Sequence, residues 1–144
     1  MGKKRIIKKG DTAPSGTREP AALKKRLGRA VHAGMVYINS TYNNTIITIT
    51  DDTGAVITWA SAGSLGFSGA RKGTPYAAAK VAEALSERVR GIGFEEARVF
   101  VRGVGAGRES AIRSLSTHGI LISAIKDLTP IPFNGPKPPK VRRV

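Results

Sequence analysis

Residues 97–127 read "ARVFVRGVGAGRESAIRSLSTHGILISAIKD", and the order of signals within them decides the fold. "ARVFVR" is an apolar run of strand type that ends on the glycines of "GVGAG", a tight loop. "RESAIRSLSTHG" follows as a short helix stopped by Gly119, and "ILISAIKD" is a second strand. Two strands joined through one helix pair in parallel by a right-handed crossover.

Working towards the N-terminus, "YAAAKVAEALSERVR" places Val81, Leu85 and Val89 at four-residue steps with Ala78 and Ala82 beside them, one apolar stripe. Thr74 and Pro75 supply an N-cap and a first-turn proline, and Gly91 and Gly93 end the helix. Its alanines permit close approach to a sheet. Before it, "SAGSLGFSGARKG" reads as a long glycine-rich loop. Earlier still, "MVYINST", "TIITITD" and "AVITWAS" are rich in β-branched residues and partly alternate, with "YNN" and "DDTG" as turns between them. They predict a three-stranded antiparallel meander. The fold class is therefore α/β, a five-stranded mixed sheet with an N-terminal antiparallel meander and two packing helices. About 95 residues suffice for a modest core.

Charge divides the chain differently from hydropathy. Of the formal net charge of +14, residues 1–29 carry +8, from ten Lys or Arg against Asp11 and Glu19. Residues 130–144 carry +4, and residues 30–129 only +2. The expected organisation is a basic arm over 1–33, a globular domain over 34–128 and an extended Pro-rich basic tail over 129–144. The tail, with five prolines between Pro130 and Pro139, cannot enter a helix or a central strand. A nearly neutral body with two basic arms is the layout of a protein that docks on a polyanion and threads its arms among phosphates. Cysteine is absent, which removes disulfides and thiolate metal sites and fits a reducing compartment. No long uncharged apolar run predicts a membrane span, and the N-terminus lacks the apolar core of a secretory signal.

Three stretches are candidates for chemistry. In "VFVRGVGAGRES" the glycines at 103, 105 and 107 precede a helix start, a setting in which backbone N–H groups and the helix dipole bind anions. Asp127 even lies where a ribose-binding acid of a dinucleotide site would stand. The third fingerprint glycine is replaced by Arg108, however, and no second mononucleotide-binding half exists, so a phosphate of a larger polyanion suits Arg108 better; the plain alternative is a tight turn. In "SLGFSGARKGTPY", Arg71 and Lys72 precede the helix cap, Ser64, Ser68 and glycine N–H groups can donate to phosphate or sugar oxygens, and Phe67 is either a base-stacking platform or a core plug under the loop. Asp51 and Asp52 read as turn builders rather than metal ligands. His32 and His118 lack a spaced ligand set. Trp59 reads as core or as a half-buried anchor, and Glu83, Glu87, Glu95, Glu96 and Glu109 as solvated charges. No set of nucleophile, base and orienting group can be assembled, so no enzyme and no cofactor is expected.

"NNTIITITD", "SAGSLGFSGARKGTPYAA", "GRESAIR" and "DLTPIPFNGPKPPKVRR" together resemble the S-eleven family of small-subunit ribosomal proteins in its bacterial form, over roughly residues 34–144. The resemblance implies a non-enzymatic, cytoplasmic rRNA-binding constituent of the ribosomal platform that takes part in translation, with a ribonuclease H-like arrangement lacking that activity. It implies a tail laid on rRNA near messenger RNA at the exit-tRNA side, and neighbours from the S-seven, S-eighteen and S-twenty-one families. The residues it assigns to rRNA are Asn43, Asn44, Ser68, Gly69, Arg71, Lys72, Arg108, Asn134, Gly135, Lys137, Lys140, Arg142 and Arg143. Val104, Phe133, Pro136 and Val141 depart from the family pattern, which there commonly has proline, histidine, cysteine and a basic residue. Two rivals stay open: a small nucleotide-binding protein using "GVGAG", and a nucleic-acid chaperone acting off the ribosome.

Overall fold

A computed structural model of the chain describes residues 31–140. The N-terminal arm up to residue 30, and Val141, Arg142 and Arg143 of the tail, lie outside the described residues. Strands β1 (Ala33–Ser40), β2 (Thr45–Asp51) and β3 (Val56–Ser61) form the meander, helix α1 (Pro75–Arg90) follows, and β4 (Glu96–Arg102), helix α2 (Gly107–Thr117) and β5 (Leu121–Asp127) complete the body. The sheet runs β3-β2-β1-β4-β5. The pairs β3–β2 and β2–β1 are antiparallel, and β1–β4 and β4–β5 are parallel, as the helix-joined strands require.

Register separates the two faces of the sheet. Val36 pairs with Ile49 and Val99, Ile38 with Ile47 and Val101, and Ile47 with Ala60, so these side chains share one face and all are buried. The apolar stripe of α1, Val81, Leu85 and Val89, is buried against them together with Leu115 of α2. Both crossovers run in the same sense along the sheet, from β3 to β4 and from β4 to β5. Right-handed connections therefore put both helices on the same face, where they pack on each other. Ala77, Ala78 and Ala82 are buried and let α1 lie close to its neighbours. The other face carries no element of the described chain.

Several local readings are refined. Thr74 accepts the Ala77 amide at 3.3 Å and Pro75 opens α1. At the other end of α1, Gly91 stays right-handed and Gly93, at φ +87°, is the residue that turns the chain. The loop before α1 is not irregular throughout: Gly63–Leu65 and Gly69–Gly73 form two short 3-10 turns. Trp59 is not core, being 58% exposed on β3. Phe67 packs against the core and meets Tyr76 edge to face at 6.0 Å, so it is the plug beneath its loop. Asp51 builds a turn, accepting Thr53 N and Ala55 N at 2.9 Å and the Thr53 hydroxyl at 2.6 Å.

The strands β1, β3, β4 and β5 all point the same way, which gives the body two distinct poles. Residues 31 and 32 enter at the pole where these strands begin, since His32 O accepts Glu95 N at 2.9 Å just before β4. The chain leaves β5 at the opposite pole, where Leu128 N donates to Val101 O at 2.8 Å.

Candidate nucleic-acid interface

The pole at the carboxyl ends of these strands gathers most of the residues expected to meet RNA, and it is the end at which open α/β sheets usually bind ligands. Three connections and the root of the tail meet there.

The first is the β1–β2 turn. Thr41 closes it on itself: its N–H and hydroxyl donate to Asn44 O at 2.9 and 3.1 Å, and its hydroxyl accepts Asn44 N at 3.1 Å. Tyr42 and Asn43 are left exposed at the tip. The side-chain oxygen of Asn44 is buried and finds no hydrogen-bond partner among the described residues.

The second is the loop before α1, which rests on that turn: a side chain at Gly73 would strike the Tyr42 carbonyl. Ser68, Gly69 and Arg71 are exposed and Lys72 is half-buried, with no ion pair on either cation among the described residues. Gly69 sits at φ +58° with open space about it, so glycine serves the backbone conformation there and leaves the surface bare.

The third is "GVGAG", whose role differs from the expected one. A Cβ at Gly103 would strike Ser40 O, one at Gly105 would strike Thr41 O, and one at Gly107 would strike the Thr45 hydroxyl and Ala78. Gly105 N already donates to Ser40 O at 2.9 Å, and Gly103 N to the Thr129 hydroxyl at 3.2 Å. The glycines make room for the protein's own β1–β2 turn rather than for an anion. These contacts account for the glycines without the rival nucleotide cradle.

Arg108 and Asp127 are likewise engaged with each other. Arg108 Nη2 donates to Asp127 Oδ2 at 2.6 Å, and its Nη1 donates to Gly103 O at 2.8 Å and to the Thr129 hydroxyl at 3.3 Å. Asp127 Oδ1 accepts the Thr129 hydroxyl at 2.6 Å and Thr129 N at 2.8 Å. The Thr129 hydroxyl, then Arg108, then the Thr129 amide hold the Asp127 carboxyl well below the usual carboxylate range. Both carboxylate oxygens of Asp127 are thus engaged within the protein, and Arg108 has an internal partner. Adjacent Glu109 is not that partner, which stands nineteen residues on, beyond the reach of a local reading. With 30% of its side chain exposed, Arg108 keeps a donor edge towards solvent.

Thr129, absent from the expected site, is the centre of this clasp and fixes where the tail starts. From Pro130 to Lys140 the described chain carries no strand or helix; Phe133 is fully exposed, and Asn134, Gly135, Lys137 and Lys140 are exposed too. Among the described residues no group of His, Cys, Asp or Glu is arranged to hold a metal ion. His118 instead closes α2, its Nδ1 lying 2.7 Å from Ser114 O. No helix of the described residues is long and apolar enough to cross a membrane.

Comparison with known families settles the lineage. The profile of ribosomal protein S11 matches residues 34–143, the body and nearly all of the tail. The chain belongs to the ribosomal protein S11 family. Similar proteins, each called small ribosomal subunit protein uS11, include that of Solibacter usitatus, 52% identical over 132 residues, covering 92% of this chain and 98% of the relative. That of Gloeobacter violaceus is 54% identical over 121 residues, 84% of this chain and 93% of its own. That of Treponema pallidum is 52% identical over 121 residues, 84% and 96% respectively. The S11 match begins at Gly34, so the basic N-terminal arm expected over 1–33 falls outside it.

Proposed function

We propose that this protein is a non-enzymatic structural constituent of the small ribosomal subunit, and that it grips small-subunit rRNA with the pole just described. Its membership of the S11 family supports the role. The observation that carries the assignment of the surface is the convergence of the β1–β2 turn, the loop before α1 and the clasped root of the basic tail on one end of the sheet. Asn43, Asn44, Ser68, Gly69, Arg71 and Lys72 form the contact surface. Asn134, Gly135, Lys137, Lys140, Arg142 and Arg143 continue it along the tail. Arg108 joins them by its exposed edge while holding Asp127 by the other. The finer placement follows the resemblance: the platform, with the tail near messenger RNA at the exit-tRNA side, beside members of the S-seven, S-eighteen and S-twenty-one families. Residues 1–30 act as a second basic arm; the boundary expected at 33 moves back, because Val31 is buried in the core and β1 opens at Ala33.

The test is sedimentation of lysate from cells producing the tagged full chain, followed by binding of the purified chain to small-subunit rRNA across a salt series. The tag sediments with small subunits, and log affinity falls linearly with log salt. Arg71→Ala and Lys72→Ala each flatten that slope by about one unit if each neutralises one phosphate. A tag that stays with free nucleic acid and never enters subunits identifies a chaperone instead.

A further inference from the structure

The uncovered face of the sheet has a composition of its own. Pairing puts Trp59, Thr48, Tyr37, Phe100 and Lys126 in a single row across all five strands. Tyr37 and Phe100 stack at 5.1 Å with 17° between their planes. Trp59 is 58% exposed, and Tyr37 and Ile46 are each 36% exposed. Met35 lies one row away, opposite Arg98. Exposed aromatic patches rimmed by polar residues mark interaction sites, and Trp, Tyr, Phe, Met and Arg are the residues enriched where proteins meet.

Charge chooses the occupant. On this face Arg98 is spent on Asp52 at 2.9 Å. Glu96 stands at the far end of β4 from Arg102. Arg102 and Lys126 are exposed and have no ion pair among the described residues. Two free cations beside a largely apolar field are few for a run of phosphates, and the stacked Tyr37–Phe100 pair already uses one ring face of each residue on the other. The N-terminal arm, with its excess of +8, would bring cations against Arg102 and Lys126. A second copy would bring the same residues against each other.

We infer that the open sheet face is a protein-docking surface, which seats an apolar segment of a neighbouring ribosomal protein whose carboxylates meet Arg102 and Lys126. The inference rests on the small-subunit assignment above, and the two fail separately.

A photo-crosslinking amino acid replaces Trp59 in the tagged full chain, and subunits are isolated before irradiation. Failure to sediment with small subunits would sink the assignment itself. Within sedimenting subunits, the expected product is a nuclease-resistant, protease-sensitive adduct. Its peptide, mapped by mass spectrometry, belongs to another ribosomal protein and holds apolar residues together with Asp or Glu. Combining Arg102→Glu and Lys126→Glu cuts the adduct yield on the order of tenfold, since like charges across an interface are strongly disfavoured, while Arg102→Lys with Lys126→Arg retains it. An adduct removed by nuclease assigns the face to RNA, and one to this chain's own peptides assigns it to the arm or a second copy. Either result overturns the inference, as do no adduct, a peptide without carboxylates, or a yield indifferent to charge reversal.

Discussion

Arg108 is half anchor and half candidate contact, and its neighbours settle how it should behave on substitution. Arg108→Ala removes donors to Gly103 O, Asp127 and Thr129, so it should lower the Tm of the isolated chain as well as weaken RNA binding. Arg108→Lys should recover little of either, because one ammonium cannot span carbonyl and carboxylate together. Paired thermal melts and rRNA titrations check both; an unchanged Tm would mean that the clasp contributes nothing to folding. Asp127 gives the same site a pH signature. Its pKa is depressed on folding, so its stabilisation is complete above the ordinary carboxylate value of about 4 and is lost as pH falls below that value towards the lowered one. Asp127→Asn should therefore lower Tm at pH 6 and converge on the parent as the medium is acidified towards pH 2. The pair is solvent-exposed, so screening keeps the effect small and salt-sensitive. Gly103→Ala should be far more damaging, about 2 kcal/mol or more, because it combines φ +100° with a side chain driven into Ser40 O. Denaturant unfolding would measure it.

Among the elements, α1 offers the cleanest local test. Thr74→Ala removes the acceptor for Ala77 N and should cost about 1 kcal/mol by denaturant unfolding, with the helix otherwise intact. The cap, the Pro75 start and the Val81, Leu85 and Val89 stripe were legible in the sequence because they are local and periodic. So were the meander and the parallel strands of 97–127. What was not legible joins distant residues. "GVGAG" looks like a phosphate loop on its own, and only its contact with Ser40 and Thr41, some sixty residues earlier, shows why glycine is needed. The Arg108–Asp127 pair is hidden for the same reason. Trp59 was left open between core and surface anchor because strand alternation separates two faces without saying which one the helices cover. The common sense of the two right-handed crossovers holds that information and would have placed Trp59, Tyr37 and Phe100 on the bare side. The internal wiring of this pole was the part that local sequence did not carry.

For the molecule as a whole, the tail should be separable from folding. Removing residues 130–144 spares Thr129, Leu128 and every buried core residue. The truncated chain should keep its cooperative melt while entering small subunits less well, as circular dichroism and sedimentation would register; loss of the cooperative melt would make the tail part of the core. The poles of the sheet have a further consequence. The chain enters the body at one pole and leaves at the other, and the eight residues of β1 set the poles roughly 25 Å apart at about 3.3 Å per residue. The two basic segments are therefore rooted at opposite ends of one block, at residues 31 and 129. Where each segment meets its own stretch of rRNA, the block would act as a spacer between them, each contact raising the effective concentration of the other at its target. Under the proposed rRNA-binding role the body would serve as a cross-brace whose span is set by the length of β1.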